Sequence, residues 1–346
     1  MVGLDLEAGS VAATEVRGDG GVEVVTTGVV PLEPGAFHEG EVADPEALAA
    51  ALRALFSEHK LGKTVRLGIA NQRVSVRTME IPDIDDPKEL ESAVRFQAQE
   101  HVPMPLDQAV FDYQVVGHTE GEQGRKLAVV AVAARRDMLE RFMDALRRGG
   151  VRPAGIDLSA FGMLRALATG TNGGPSPQTP GGQPAKLYCN LGDVTNLAVA
   201  SGRTCLFTRI STFGVEEIAE RLAERRGIAI EDARAWLGRV GLEGPTEKID
   251  GDPETVEAAR GALAEGAAKL ANELRLSLDF YGTQAGAVPI QGVIACGPGT
   301  TIPGLVERLH QELGQPFEVG RPAQLDGLEP AAAARLTVAY GLGLGE

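Results

Sequence analysis

The sequence predicts an α/β protein built as two related lobes, and three observations carry that expectation. At 346 residues the chain is too long for one small core and suits two or three packed units. Near its start, and again from Leu187, it repeats one order: apolar strand, glycine-bearing turn, apolar strand, second glycine turn, third strand. Between the copies stands TNGGPSPQTPGGQPA, residues 171–185, with four prolines and no large apolar side chain, which cannot support a core. The expected division is a first lobe over 1–170 with an inserted unit at about 78–152, a flexible linker over 171–185, and a second lobe over 186–346 with a helical subdomain at about 211–285.

The elements follow in order. Val2–Leu6 is a strand, Glu7-Ala8-Gly9-Ser10 turns it, Val11–Val16 returns, Gly18–Gly21 turns again, and Val22–Val30 is the third strand. Asp44 caps a helix that starts on Pro45 and carries Leu48, Leu52, Leu55 and Phe56 on one stripe. Val65–Ala70 and Val74–Ile81 read as strands. Asp86, with Glu89 three residues on, starts a helix that runs to His101 and stops before Pro103 and Pro105. Strands at Val110–Val116 and Leu127–Ala133 precede a helix at Asp137–Arg148, ended by Gly149-Gly150. Ser159–Ala168 is helical.

After the linker, LYCNLGDVTNLAVASGRTCLFTRI repeats the opening meander. Helices follow at Val215–Arg226, Glu231–Leu237 and about Glu254–Tyr281, the last with Leu263, Leu270, Leu274 and Leu278 on one face. Strand Ile290–Ala295 runs into Gly297-Pro298-Gly299. A helix beginning at Pro303, a short strand at Phe317–Val319 and a final helix at Ala331–Leu342 complete the chain.

Composition narrows the function. Hydrophobic residues make up 43%, as in ordinary globular proteins, and the formal net charge is −15. Such acidity repels nucleic acid and anionic lipid, so no nucleic-acid partner is expected. No stretch approaches the ~20 apolar residues of a membrane helix. The start, MVGLDLEAGS, carries acids where a signal peptide carries basic residues, so secretion is not expected. Cys189, Cys205 and Cys296 are odd in number and form no C-x-x-C pair, which fits small buried thiols better than a disulfide framework or a zinc site. No histidine stands four residues from another, so a helical metal pair is absent.

Two glycine-bearing hairpins facing each other across a cleft suit a nucleotide. Each turn can aim backbone N–H groups at phosphate, and glycine lets the backbone approach closely. An acid in the first strand can hold magnesium through water. GLDLEAGSV, NLGDVTNLAV and ACGPGTTIPGL supply these segments in order. Together they resemble the actin, Hsp70 and sugar-kinase superfamily. Within it the chain is similar to the PilM family of type IV pilus assembly proteins. The matching stretches are GLDLEAGSVAATEV, RTMEIPD (Arg77–Asp83), KELESAVRFQAQEHVPMPLDQAVFDYQVV (Lys88–Val116), FTRISTFG (Phe207–Gly214) and ACGPGTTIPGLVERLHQELGQPFEV.

The resemblance implies a two-lobed actin-like (ribonuclease-H-like) α/β fold, with a small inserted subdomain like that of the division protein FtsA in the first lobe. It implies ATP and Mg2+ as cofactors. Asp5, Gly9, Ser10, Gly192, Thr195, Gly297 and Gly299 would form the nucleotide site, and Asp5 would hold Mg2+ through water. It implies a cytoplasmic scaffold at the inner face of the membrane. That scaffold binds the N-terminal peptide of a PilN-like membrane protein and, through PilN and PilO, reaches the pilus motor ATPase. Arg77, Ile81, Phe96 and Tyr113 are the expected peptide-groove residues.

The sequence departs from that family where nucleotide would bind. The first phosphate turn has Glu7 in place of glycine and Ala12 in place of lysine. A carboxylate about 5 Å from a phosphate charge costs roughly 3 kcal/mol at an effective dielectric near 20. The second turn has Asn190 in place of aspartate, with Asp193 close by. The E-A-E-x-x-K helix has Arg234 and Leu237 where the family has Glu and Lys, and Pro298 has no N–H to offer. These departures predict weakened or lost ATP binding and no catalytic residue. The alternatives are an active Mg-ATP-binding ATPase of the same assembly, an FtsA-like division protein, whose class ends in a basic amphipathic helix rather than GLGLGE, and a type II secretion component, whose class continues into a membrane span.

Overall fold

The computed structural model describes residues 1–18, 21–121, 124–168, 185–284 and 287–345. The expected linker 171–185 lies outside the described residues, except Ala185, which begins a strand.

In chain order the first half holds β1 (Val2–Glu7), β2 (Ser10–Arg17), β3 (Glu23–Pro31), β4 (Phe37–His38), β5 (Glu41–Val42), α1 (Pro45–Glu58), β6 (Thr64–Ile69), β7 (Val74–Pro82), α2 (Pro87–His101), β8 (Ala109–Gly121), β9 (Gly124–Arg135), α3 (Arg136–Arg148), β10 (Arg152–Leu158) and α4 (Ser159–Leu167). The second half holds β11 (Ala185–Leu191), β12 (Thr195–Ser201), β13 (Thr204–Ser211), α5 (Val215–Arg226), α6 (Ile230–Val240), α7 (Pro253–Gly282), β14 (Ile290–Cys296), α8 (Leu305–Leu313), β15 (Phe317–Val319) and α9 (Pro330–Gly343).

The two halves build the same sheet. In the first the order is β10-β6-β1-β2-β3, and in the second it is β15-β14-β11-β12-β13. Each begins with an antiparallel three-strand meander and adds two parallel strands on the far side of its first strand. β1 and β11 are therefore central, and both are buried along nearly their whole length, as a strand covered on both faces must be. The sequence reading missed β10. Pro153 and Gly155 interrupt its pattern, and the register against β6 shifts between them.

Helix starts follow local chemistry. Asp44 accepts from the N–H groups of Glu46 and Ala47 at 2.9 and 3.1 Å, and Asp86 from Lys88 and Glu89 at 2.9 and 3.0 Å. Each cap precedes a proline at the first helical turn, whose missing N–H needs no partner there.

A three-stranded sheet, β7-β9-β8, carries α2 on one face and forms its own cluster around Met79, Ile81, Val94, Ala98, Val129 and Ala131. This small unit ends where β9 ends. Met138, Leu139, Phe142 and Leu146 of α3 lie in the first-lobe core with α1, so the expected extent of about 78–152 takes in a helix that packs with the main sheet.

Two helices tie the lobes together. α4 leads out of the first sheet and packs against β12 of the second, while α9 leaves the second half and lies on β1, β2 and α4. Tyr188, Ala198, Ala200, Ile294 and Cys296 of the second sheet join the first-lobe core, so apolar packing runs through the junction. The backbones meet closely there. A Cβ at Gly341 of α9 would overlap the carbonyl of Gly162 in α4, and one at Gly3 would overlap the carbonyl of Ala339.

Overpacking against backbone typically costs about 1–3 kcal/mol. Gly341→Ala is therefore expected to lower the unfolding free energy by at least about 2 kcal/mol in urea titration. Gly261→Ala on α7, whose Cβ would meet nothing closer than 3.9 Å, should instead gain up to about 1 kcal/mol from helix propensity.

Candidate functional site

The first turns of the two meanders face each other across the crevice between the lobes. Asp5 is buried near the end of β1, one residue before Leu6 closes its buried run. Its carboxylate accepts a hydrogen bond from Ser159 Oγ at 3.2 Å, at the start of α4. Two residues on, the turn Glu7–Gly9 projects toward the second lobe, where its counterpart is Gly192-Asp193 between β11 and β12.

The contacts between the turns are direct. Ala8 N–H donates to Asp193 Oδ2 at 3.0 Å. Gly192 lies so close that a Cβ there would stand 2.5 Å from Glu7 Oε1. Gly297, at φ +86, backs onto Asn190, and a side chain would overlap the Asn190 amide oxygen. Asp5, Gly9, Gly192 and Gly297, distant in the chain, thus converge on one crevice.

Other expected site residues stand elsewhere. Thr195 is fully buried, and its hydroxyl donates to the Phe213 carbonyl at 2.7 Å. It shares a face of β12 with Leu197, a second-lobe core residue, so strand parity turns it away from the crevice. Ser10 is buried at the start of β2, and Gly299 packs against Leu191 and Val215. In the small unit, Ile81 is 0% exposed and belongs to the core, so the expectation that it touches a peptide is corrected. Phe96 is 70% exposed on α2, Arg77 donates through Nε to the His101 carbonyl at 3.0 Å, and Tyr113 is partly buried against the small core.

The sequence reading missed how the crevice is charged. Arg234 of α6 was visible as a charge reversal, but its partner was not. Glu216, in the first turn of α5, holds its guanidinium by two bonds, Nε to Oε2 at 2.8 Å and Nη2 to Oε1 at 2.5 Å. The pair is only 23% and 14% exposed, and bidentate geometry of this kind is the strong form of an ion pair. Arg234 lies directly over Gly9, where a Cβ would come within 2.8 Å of Cζ. Arg335 of α9 stands 3.9 Å from Glu7, and at the rim His38 faces Glu220 at 3.8 Å. A cavity of about 450 Å³ opens beside Ala8 and Asp193, lined chiefly by Glu39, Glu216, Glu217, Glu220 and Glu224 with Arg221.

Burial of like charges raises the acids. Desolvation, and then Asp193 nearby, push Asp5 up to about 7. Glu7 and Asp193, both desolvated, rise above the usual carboxylate range, Glu7 also because of Asp5 and Asp193 also because of Glu7. Among the described residues, no group of three or more His, Cys, Asp or Glu is arranged to hold a metal ion, and no helix is long and apolar enough to cross a membrane.

The family model of the type IV pilus assembly protein PilM matches residues 3–339. The chain belongs to the PilM family. A solved PilM-PilN type IV pilus biogenesis complex contains a chain 25% identical to this one, superposing with a TM-score of 0.78 over 99% of this PilM-family chain and 97% of the other. More distant structures share the actin-like two-lobed fold. MreB5 of Spiroplasma citri bound to ADP is 14% identical, with a TM-score of 0.53 over 99% and 94% of the two chains. The ethanolamine utilization protein EutJ from Carboxydothermus hydrogenoformans is 14% identical, with a TM-score of 0.54 over 99% and 88%.

The raised acids give a pH dependence of stability. Unfolded carboxylates titrate near 4, so between about pH 4 and 7 the folded state of this PilM-family chain binds more protons than the unfolded one. The contribution of Asp5, Glu7 and Asp193 is fully present below the unfolded values and lost as pH rises through about 7 for Asp5 and Glu7 and about 8 for Asp193. Tm at pH 8 is expected to lie roughly 4 °C below that at pH 5.5, and Asp193→Asn should flatten the difference in a calorimetric pH series.

Proposed function

We propose that this chain is a binding scaffold of the type IV pilus assembly platform, holding a PilN-like partner without depending on nucleotide. The observation that carries the first part is its likeness, over nearly the full length of both chains, to a protein solved with PilN. That partner's N-terminal peptide tethers the scaffold to the inner face of the cytoplasmic membrane. PilO and the pilus motor lie beyond it.

The small unit is the proposed docking region. Phe96 is a large apolar side chain left in water on α2, close to the α2 end that Arg77 grips. An extended peptide beside it gains an apolar anchor and main-chain hydrogen bonds. Arg77 and Tyr113 belong to this surface, and Ile81 supports it from the core.

What supports loss of nucleotide binding is the chemistry of the crevice. A triphosphate needs free N–H donors and positive charge. Here the Ala8 N–H is already engaged by Asp193, Glu7 lies against Gly192, and Arg234 is engaged by Glu216. Pro298 stands in the late glycine turn with no N–H. These residues do not fit Mg-ATP. An actin-like relative bound to ADP speaks for the fold alone at 14% identity.

Two measurements test the reading. Isothermal titration with Mg-ATP up to about 1 mM is expected to show no saturable heat, whereas affinity near 10 µM would defeat the degenerate site. A synthetic PilN N-terminal peptide should bind equally with and without nucleotide. Phe96→Ala is expected to weaken that binding about tenfold. Ile81→Ala should instead cost about 2–4 kcal/mol of stability. Binding that requires ATP would contradict the scaffold.

A further inference from the structure

In a two-lobed nucleotide protein, a bound phosphate would bridge the lobes by accepting N–H bonds from both turns and drawing positive charge to itself. The crevice of this chain contains side chains in each of those roles. The acceptor facing the first-lobe turn is the Asp193 carboxylate, which takes the Ala8 N–H at 3.0 Å from the opposite lobe. The cation over the turn is the Arg234 guanidinium, which approaches Gly9 closely enough to leave no room for a side chain there. Glu216 fixes that guanidinium through both of its oxygens.

Asp5, Glu7, Asp193 and Glu216 gather acidic groups at this place; Arg234 pairs with Glu216 and Arg335 lies 3.9 Å from Glu7. His38 and Glu220 make a further contact between the lobes at the rim. Without Arg234 the Glu216 carboxylate would be left partly buried and unpaired, and its repulsion of Glu7 on the opposite turn would favour separation of the turns.

Resting on the reading that the crevice does not take a triphosphate, we propose that Arg234 is the crevice's own occupant: with Glu216 and Asp193 it forms an intramolecular clasp that keeps the lobes closed with no ligand bound. The clasp makes closure a built-in property of the scaffold. It also explains why Gly9 is free of a side chain although no phosphate needs the space.

Hydrogen exchange read by mass spectrometry over the 7–10 turn of the full chain, without nucleotide, tests this. The wild-type turn is expected to exchange slowly. Arg234→Ala should speed it about tenfold, equivalent to about 1.4 kcal/mol of local opening, with exchange in α1 unchanged. Arg234→Lys should fall between the two. Arg239→Ala, on the same helix and stacked 5.1 Å from the Trp236 ring, should leave the turn as in wild type. Should Arg234→Ala fail to fold, Glu216→Gln, which keeps the shape and removes the charge, should still speed the turn at least about threefold. A turn that exchanges freely in wild type, or that does not respond to either substitution, overturns the clasp. Protection that appears only when Mg-ATP is added would defeat the nucleotide-independent reading as well. Protection by ATP on top of a turn already slow and sensitive to Arg234 would defeat that reading alone and leave the clasp standing.

Discussion

Two acidic turns from opposite lobes meet in one buried crevice, and their like charges must be neutralised before the lobes can close. That constraint organises the rest of the structure. Asp5, Glu7 and Asp193 cannot all ionise there unaided, so the protein either protonates them or brings cations to them. α9 brings Arg335 within 3.9 Å of Glu7, while α6 sets Arg234 over Gly9, held there by Glu216. The glycines at 9, 192 and 297 matter because these groups and their neighbours lie within side-chain distance of the backbone.

The apolar frame makes such closeness affordable in conformational terms. Two sheets of the same order present their central strands, β1 and β11, toward a shared junction filled by α4 and α9. α4 also supplies Ser159 to Asp5 at the crevice floor, so the element that joins the lobes helps define the site. The small unit stands apart, with its own core and an exposed apolar residue on α2. The chain thus separates a charge-dense centre from the small unit and its exposed Phe96.

Much of this was legible in the sequence. The repeated meander announced two related sheets, and Asp44 and Asp86 marked helix starts that the structure places there. Convergence of Asp5, Gly192 and Gly297 followed from the repeat and the late glycine turn. What failed was mostly a matter of facing. Thr195 was grouped with the crevice although its neighbour Asn196 pairs with Asn190 and takes that face. Ile81 was offered as a contact although it alternates inward with Met79. The Glu216–Arg234 pair was invisible for a different reason. Its members lie on separate helices, and no local spacing rule links them. Only the departure of Arg234 from the family pattern hinted that the crevice had been recharged.

A crystal structure of the chain grown in about 5 mM Mg-ATP, roughly 500 times the ~10 µM dissociation constant that would defeat the reading, would test the central claim most directly. The account predicts a crevice without nucleotide, Arg234 still on Glu216 and the Ala8 N–H still on Asp193. A triphosphate lying between Gly9 and Gly192, with Arg234 turned onto its oxygens, would contradict it.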